Sequence, residues 1–103
     1  MLNLVKDIDY TASEDGSFTT ISATSSDLLI IAVGMCPHYT SATNEIVATG
    51  YVSQTVSTSS TGYTQAPECA ILPILLPKGS SVTLANTVSG SRTSSVVKIY
   101  TLS

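Results

Sequence analysis

Cys69-Ala70-Ile71-Leu72-Pro73-Ile74-Leu75-Leu76 is the most apolar block of the chain, and the turn-forming Pro77-Lys78-Gly79-Ser80 follows it directly. Pro73 cannot donate a ladder hydrogen bond, so a strand here is expected to bulge at Pro73 or to lie at a sheet edge. Pro77 is pre-set for the second position of a turn. The next residues, Ser81 to Asn86, alternate polar and apolar and read as a second strand. No 11-residue window holds an apolar stripe at helical spacing without Pro, Gly or a β-branched run. The grammar is strand, turn, strand.

The same grammar extends in both directions. Asp27-Leu28-Leu29-Ile30-Ile31-Ala32-Val33-Gly34 is apolar on both faces, as a central strand covered on both sides would be. Leu2 to Tyr10 is read as a strand with Leu2, Leu4, Ile8 and Tyr10 on one face, Lys6 alone breaking the alternation. Ser13-Glu14-Asp15-Gly16-Ser17 reads as a turn, with Gly16 suited to positive φ, and Phe18 to Ser22 as a short strand. Met35 to Asn44, containing Pro37, reads as a polar connection before a strand over Glu45 to Val52. Thr55 to Thr64, almost wholly Ser, Thr, Gly and Tyr, is either an exposed hairpin or a loop. Ser94 to Leu102 alternates again after the turn-rich Ser89-Gly90-Ser91. About seven or eight strands and no significant helix predict an all-β fold, a single two-sheet antiparallel sandwich over residues 1–103. The absence of Trp disfavours an immunoglobulin-like core and leaves a jelly-roll-like one.

Composition narrows the partners. Of 103 residues, 11% are charged and 32 are Ser or Thr, against a usual charged fraction of about 25%. The hydrophobic fraction, 43%, is too high for a disordered tail. Net charge is −3, and Lys6, Lys78, Arg92 and Lys98 are scattered, so the clustered cations that neutralise nucleic-acid phosphates are missing. The acids concentrate in residues 1–50, an asymmetry that suits contact between unlike surfaces of identical subunits or averages out when strands intermix. The longest apolar run, Leu28 to Val33, is six residues, far from the roughly 20 that span a bilayer. No basic start with an apolar core and cleavage site marks a secretory signal, so synthesis and folding in a cytoplasm, with thiols reduced, are expected. Cys36 and Cys69 are then expected to be unpaired and at least partly buried.

No constellation names a reaction, and no cofactor or metal is expected. Cys36, His38 and Cys69 lack the closely spaced pairs that structural zinc uses, and Pro37 stands between the members of any Cys36–His38 catalytic pair. His38 is expected in a loop beside a buried thiol. With one His and no Gly-x-Ser-x-Gly elbow, a serine triad has no framework. Asp7, Asp9, Glu14 and Asp15 lack calcium-loop spacing and read as a solvated acidic edge. Tyr10, Tyr39, Tyr51, Tyr63 and Tyr100 are candidates for stacking on sugars, with core or interface roles as the default.

Ser/Thr-rich, charge-poor, β-branched sequences suit permanently assembled particles, since hydroxyls bond across subunits without the desolvation cost of buried charge. The span Leu75-Leu76-Pro77-Lys78-Gly79-Ser80-Ser81-Val82-Thr83-Leu84, with Ser95-Val96-Val97-Lys98-Ile99-Tyr100, resembles the closing strands of small β-sandwich modules of bacteriophage virions. These modules include capsid decoration (cement) proteins, head fibres and tail-fibre tips. The strand, Lys-Gly turn and strand also occur in tumour-necrosis-factor-like and C1q-like jelly rolls, typically secreted trimers. What the virion resemblance implies is a non-enzymatic structural protein located in the virion, most simply a decoration protein that binds the assembled capsid and stabilises it. Its implied partners are the major capsid protein or another virion protein, and copies of itself, as a trimer before a dimer. Starting at Met with 103 residues fits a separately encoded small protein better than an excised fibre tip. The alternative is a fibre or receptor-binding module recognising host-surface glycans. The expected partner-binding residues are Leu2, Leu4, Ile8 and Tyr10, on an N-terminal strand that either forms the sandwich's own edge or reaches out to pair with a partner's sheet.

Overall fold

The computed structural model describes residues 2–10, 17–90 and 92–102, with side chains described for 19–90 and 92–101. Eight strands follow one another: β1 (Leu2–Tyr10), β2 (Ser17–Ser22), β3 (Leu28–Cys36), β4 (Ala42–Gly50), β5 (Gln54–Ser60), β6 (Glu68–Leu76), β7 (Ser81–Ser89) and β8 (Ser94–Leu102). They form two four-stranded sheets with orders β1-β8-β3-β6 and β2-β7-β4-β5, every pairing antiparallel. The chain crosses from sheet to sheet at each connection except the β4–β5 and, within the sequence of crossings, returns to close β8 between β1 and β3: this is the jelly-roll order, and among the described residues there is no helix.

Strand alternation builds the core. On the first sheet, Leu28, Ile30 and Ala32 of β3, Leu72, Ile74 and Leu76 of β6, and Val97 and Ile99 of β8 point inward. They meet Ile21 of β2, Ile46 and Ala48 of β4, and Val82 and Leu84 of β7 from the second. Pro73 sits on β6, a sheet edge, opposite Ile31 in a β3–β6 register that runs without a bulge. An edge strand tolerates the missing N–H because one of its sides has no ladder to complete.

A polar clasp closes one end of this apolar interior. Asn44 of β4 is buried, and its amide donates to the backbone oxygens of Ser94 at 3.0 Å and Met35 at 3.3 Å and to Ser95 Oγ at 3.0 Å. Asn86 of β7 donates from Nδ2 to Asn44 Oδ1 and to the Glu45 carbonyl, each at 2.8 Å. Both sheets are thus tied through side-chain amides whose hydrogen-bonding capacity is used, which is the condition for burying them at all. Gly34 makes room: a Cβ there would stand 2.8 Å from Asn44 Oδ1.

The boundaries differ from the sequence reading in places. The supposed connection from Met35 to Asn44 shrinks to residues 37–41, because Met35 and Cys36 pair with Cys69 and Glu68, and Ala42, Thr43 and Asn44 with Ser60, Ser59 and Thr58. Thr55 to Thr64 is divided between β5 and the following loop. Thr61 and Thr64 fasten that loop to itself, Thr61 N donating to Thr64 Oγ1 at 2.8 Å. Gly90 (φ 85) and Arg92 (φ 60) turn the chain between β7 and β8. The turn expected at Ser13 to Ser17 lies outside the described residues up to Gly16, as do Glu14 and Asp15.

Candidate interaction face

The sheet β1-β8-β3-β6 carries its inward residues on one side, and on the other the alternation presents Leu29, Ile31, Val33 and Met35 from β3. Cys69, Ile71, Pro73 and Leu75 stand beside them on β6, and Ser94, Val96, Lys98 and Tyr100 on β8. The ladders align these residues in rows: Leu75–Leu29–Tyr100, Pro73–Ile31–Lys98, Ile71–Val33–Val96 and Cys69–Met35–Ser94. Leu75 is 65% exposed, Ile71 56% and Met35 44%, while Leu29, Ile31, Val33, Val96 and Tyr100 are half-buried by their own neighbours. Contiguous apolar surface of this kind on a small domain marks an interaction site. The sequence expectation that β3 is covered on both sides is therefore corrected: β3 is interior to its sheet, but the second sheet packs on one face only.

The outer face of the other sheet has a different chemistry. Thr43, Glu45 and Thr49 of β4, Ser57 and Ser59 of β5, and Thr83, Thr87 and Ser89 of β7 dominate it. Thr20 and Thr83 hydroxyls bond at 3.0 Å, and Thr43 bonds to Ser89. A shallow depression of about 390 Å³ there is lined mainly by Thr43, Glu45, Ser57, Ser59 and Thr87.

At one end of the sandwich, the loops at 37–41 and 61–67 are joined by Tyr39 N donating to the Thr64 carbonyl at 2.8 Å. His38 is exposed in the first loop with its ring edge-on to Tyr39, centroids 5.0 Å apart. Tyr39 and Tyr63 are exposed, and Arg92 donates to Thr40 Oγ1 at 3.0 Å. Tyr51 is exposed in the loop at 51–53, and its N–H reaches the Ser81 carbonyl at 3.0 Å.

Both cysteines are free. Cys36 is buried, its Sγ donating to the Thr58 carbonyl at 3.6 Å. Burial pushes its thiol pKa up and the charge of Glu68 adds to this, while a hydrogen bond with Ser60 pulls the other way. Cys69 departs from expectation: it is exposed, because its place in the alternation of β6 is on the outer face, in register with Met35. Among the described residues, no three His, Cys, Asp or Glu side chains gather as a metal site, and no helix is long and apolar enough to cross a membrane.

β1 is an edge strand, paired with β8 along its length. Its ladder has an irregularity between Leu4 and Lys6, so the run from Leu2 to Tyr10 is not one unbroken alternation. Leu2 and Leu4 are in register with Leu102 and Tyr100, whereas Ile8 and Tyr10 are in register with Val97 and Ser95. The side chains of Leu2, Leu4, Ile8 and Tyr10, and those of Asp7 and Asp9, lie outside the described residues. The residues that sequence reasoning missed are Ile71, Leu75 and Met35. Their signal is the two-sided apolarity of β3 and β6, which for β3 reads equally as cover on both sides and for β6 is overshadowed by the edge-or-bulge question at Pro73.

No protein-family model matches the sequence, and no curated protein matches it. Among solved structures, the globular domain of zebrafish complement 1qA is similar, with a TM-score of 0.56 at 5% identity over 94% of this chain and 95% of that one. The tripod from the baseplate of bacteriophage Tuc2009 aligns with a TM-score of 0.42 at 15% identity, over 94% of this chain and 63% of that one, under two thirds of its length. The P-domain of Macrobrachium rosenbergii nodavirus aligns with a TM-score of 0.35 at 11% identity, over 98% and 91%. At such identities it is architecture that is shared, and the complement domain, matched nearly end to end, shares with this chain the small β-sandwich fold.

Proposed function

We propose that this chain is a non-enzymatic structural component of a virion, specifically a decoration protein that binds an assembled phage capsid and stabilises it. The observation that carries the reading is the broad aliphatic face on a charge-poor, Ser/Thr-rich sandwich. Such a molecule has adhesive surface in Ile71, Leu75 and Met35, all exposed. The resemblance of Leu75 to Leu84 and Ser95 to Tyr100 to virion modules points the same way. In this reading the free edge of β1, with Leu2, Leu4, Ile8 and Tyr10, adds to a sheet of the capsid protein by strand pairing. The protein acts there as a homo-oligomer, a trimer before a dimer, placing many weak contacts on neighbouring capsid subunits at once. Co-sedimentation with purified capsids tests it. Retention that survives washing, and capsids that withstand a higher temperature when the protein is bound, are the expected results. A protein that stays in the supernatant at every ratio overturns the reading.

The second reading, a fibre or receptor-binding module for host-surface glycans, is favoured by one observation. Tyr39 and Tyr63 are exposed on adjoining loops near His38, and tyrosine faces stack on sugars. Micromolar binding on a glycan array, lost on Tyr63→Ala, selects it.

A further inference from the structure

We infer that the aliphatic outer face of the β1-β8-β3-β6 sheet is covered by a second copy of this chain, and that copies associate through the rows centred on Leu29, Ile71 and Leu75. This deepens the self-association in the reading above and stands separately from the capsid contact, which that reading gives to the β1 edge.

Area comes first. Four strands of nine residues, at about 3.3 Å per residue and 4.8 Å between strands, present roughly 570 Å² in flat projection. Two such faces in contact remove about 1,150 Å² from water, which clears the roughly 1,000 Å² expected of a specific interface. Partner chemistry comes second. The described positions of the face carry one charge, Lys98, which already has an interaction of its own and stands in register with Asp7. The rows of β3, β6 and β8 thus offer a charged foreign surface little to select, the acids of the sheet, Asp7 and Asp9, standing in register with Lys98 and Val96 on its β1 side. The aliphatic face is complementary to another extended aliphatic surface, and the chain itself supplies one in every copy. The third point is the contrast across the sandwich. The hydroxyl face is built to stay wet, with Thr20 bonded to Thr83 and Thr43 to Ser89, so association through the opposite face leaves a hydrated exterior.

Sedimentation of the purified full chain at micromolar concentration, without capsids, tests the inference, and Cys69, in the row with Met35, reports on the face. The expected result is a species heavier than 10.7 kDa whose Cys69 alkylates slowly and is released on dilution. Ile71→Glu and Leu75→Glu should each weaken association by more than about tenfold, the scale of a central interface residue, with an unchanged far-ultraviolet spectrum. Thr87→Glu on the hydroxyl face should leave association intact. Should a glutamate variant fail to fold, Ile71→Ser and the Cys69 alkylation rate of the unaltered chain still decide. A monomer across the micromolar range overturns the inference, and so does an oligomer that keeps its mass in both glutamate variants or alkylates Cys69 as fast as a free thiol. Such a monomer retained on capsids leaves the virion reading standing, whereas an oligomer that ignores capsids removes that reading alone.

Discussion

The two outer faces of this sandwich are made by the same alternation of strands, yet one is aliphatic and the other is hydroxyl-bearing. On the β3–β6–β8 side, the rows hold Leu29, Ile31, Val33, Ile71 and Leu75; on the β4–β5–β7 side, the equivalent positions hold Thr43, Ser57, Ser59, Thr83 and Thr87. Strand propensity does not explain the difference, since Thr, Val and Ile all suit a pleated surface. Solvent does. Threonine keeps the branched Cβ that a strand favours and satisfies its hydroxyl in water or across the ladder, as Thr20 does with Thr83. Leu75 gains nothing from water. A domain with both kinds of face keeps one side hydrated and leaves on the other the aliphatic surface that the second copy inferred above would cover.

That contrast depends on a rigid interior, and the interior is where substitution costs most. Ile30 is fully buried between the sheets, so Ile30→Ala should lower unfolding free energy by about 2–5 kcal/mol. Denaturant unfolding measures this, and a loss below about 1 kcal/mol would mean that the faces are not held by a packed core. Next comes the amide clasp. Asn44→Ala strips partners from the buried Asn86 amide, the Ser95 hydroxyl and two carbonyls, at about 1–3 kcal/mol for a buried group left unpaired. Asn44→Asp should do no better, because a carboxylate cannot donate to those carbonyls.

A smaller effect separates the two cysteines, one from each side of the first sheet. A thiol whose pKa is raised in the fold contributes stability at pH values below the ordinary thiol range. That contribution is lost as pH rises through it, because the unfolded chain ionises first. Alkaline unfolding curves should therefore steepen because of Cys36, by no more than about 1.4 kcal/mol per pH unit for one proton, and flatten in Cys36→Ala. Alkylation of the folded chain should label Cys69 before Cys36 once copies are separated. Equal rates would contradict the placement of the two side chains. The smallest effect belongs to the hydroxyl face. Thr83→Val removes one exposed hydrogen bond and should change stability by less than about 0.5 kcal/mol.

Much of this architecture is legible in the residues. The turn at Pro77 to Ser80 is marked by the φ that Pro77 brings and by Gly79 (φ 93), and both flanking strands follow from it. Pro73 narrows β6 to an edge or a bulge, and the edge is what is found. The failures have a common cause in partners distant along the chain. Met35 and Asn44 look like loop residues until Cys69 and Thr58 are placed opposite them. The Asn44 clasp draws on Asn86 and Ser95, 42 and 51 residues away, and no local pattern signals it. The aliphatic face fails differently. Periodicity says that β3 has two apolar sides, but whether the second side meets the same chain or another molecule is not a property of one strand.

Placing β8 between β1 and β3 also has a kinetic consequence. The 83 residues that separate Tyr10 from Ser94 must be ordered or looped before β1 has any strand to pair with, and pairings this remote put a domain among the slow folders, in the millisecond-to-second class. During synthesis β3 has β6 as its neighbour while its other side waits for β8 to be made. A newly made chain thus passes through an interval in which its most aliphatic strands are joined along one edge and bare along the other, the state in which chains cross-pair and aggregate. Refolding yield should therefore fall with rising protein concentration more steeply than native stability would suggest.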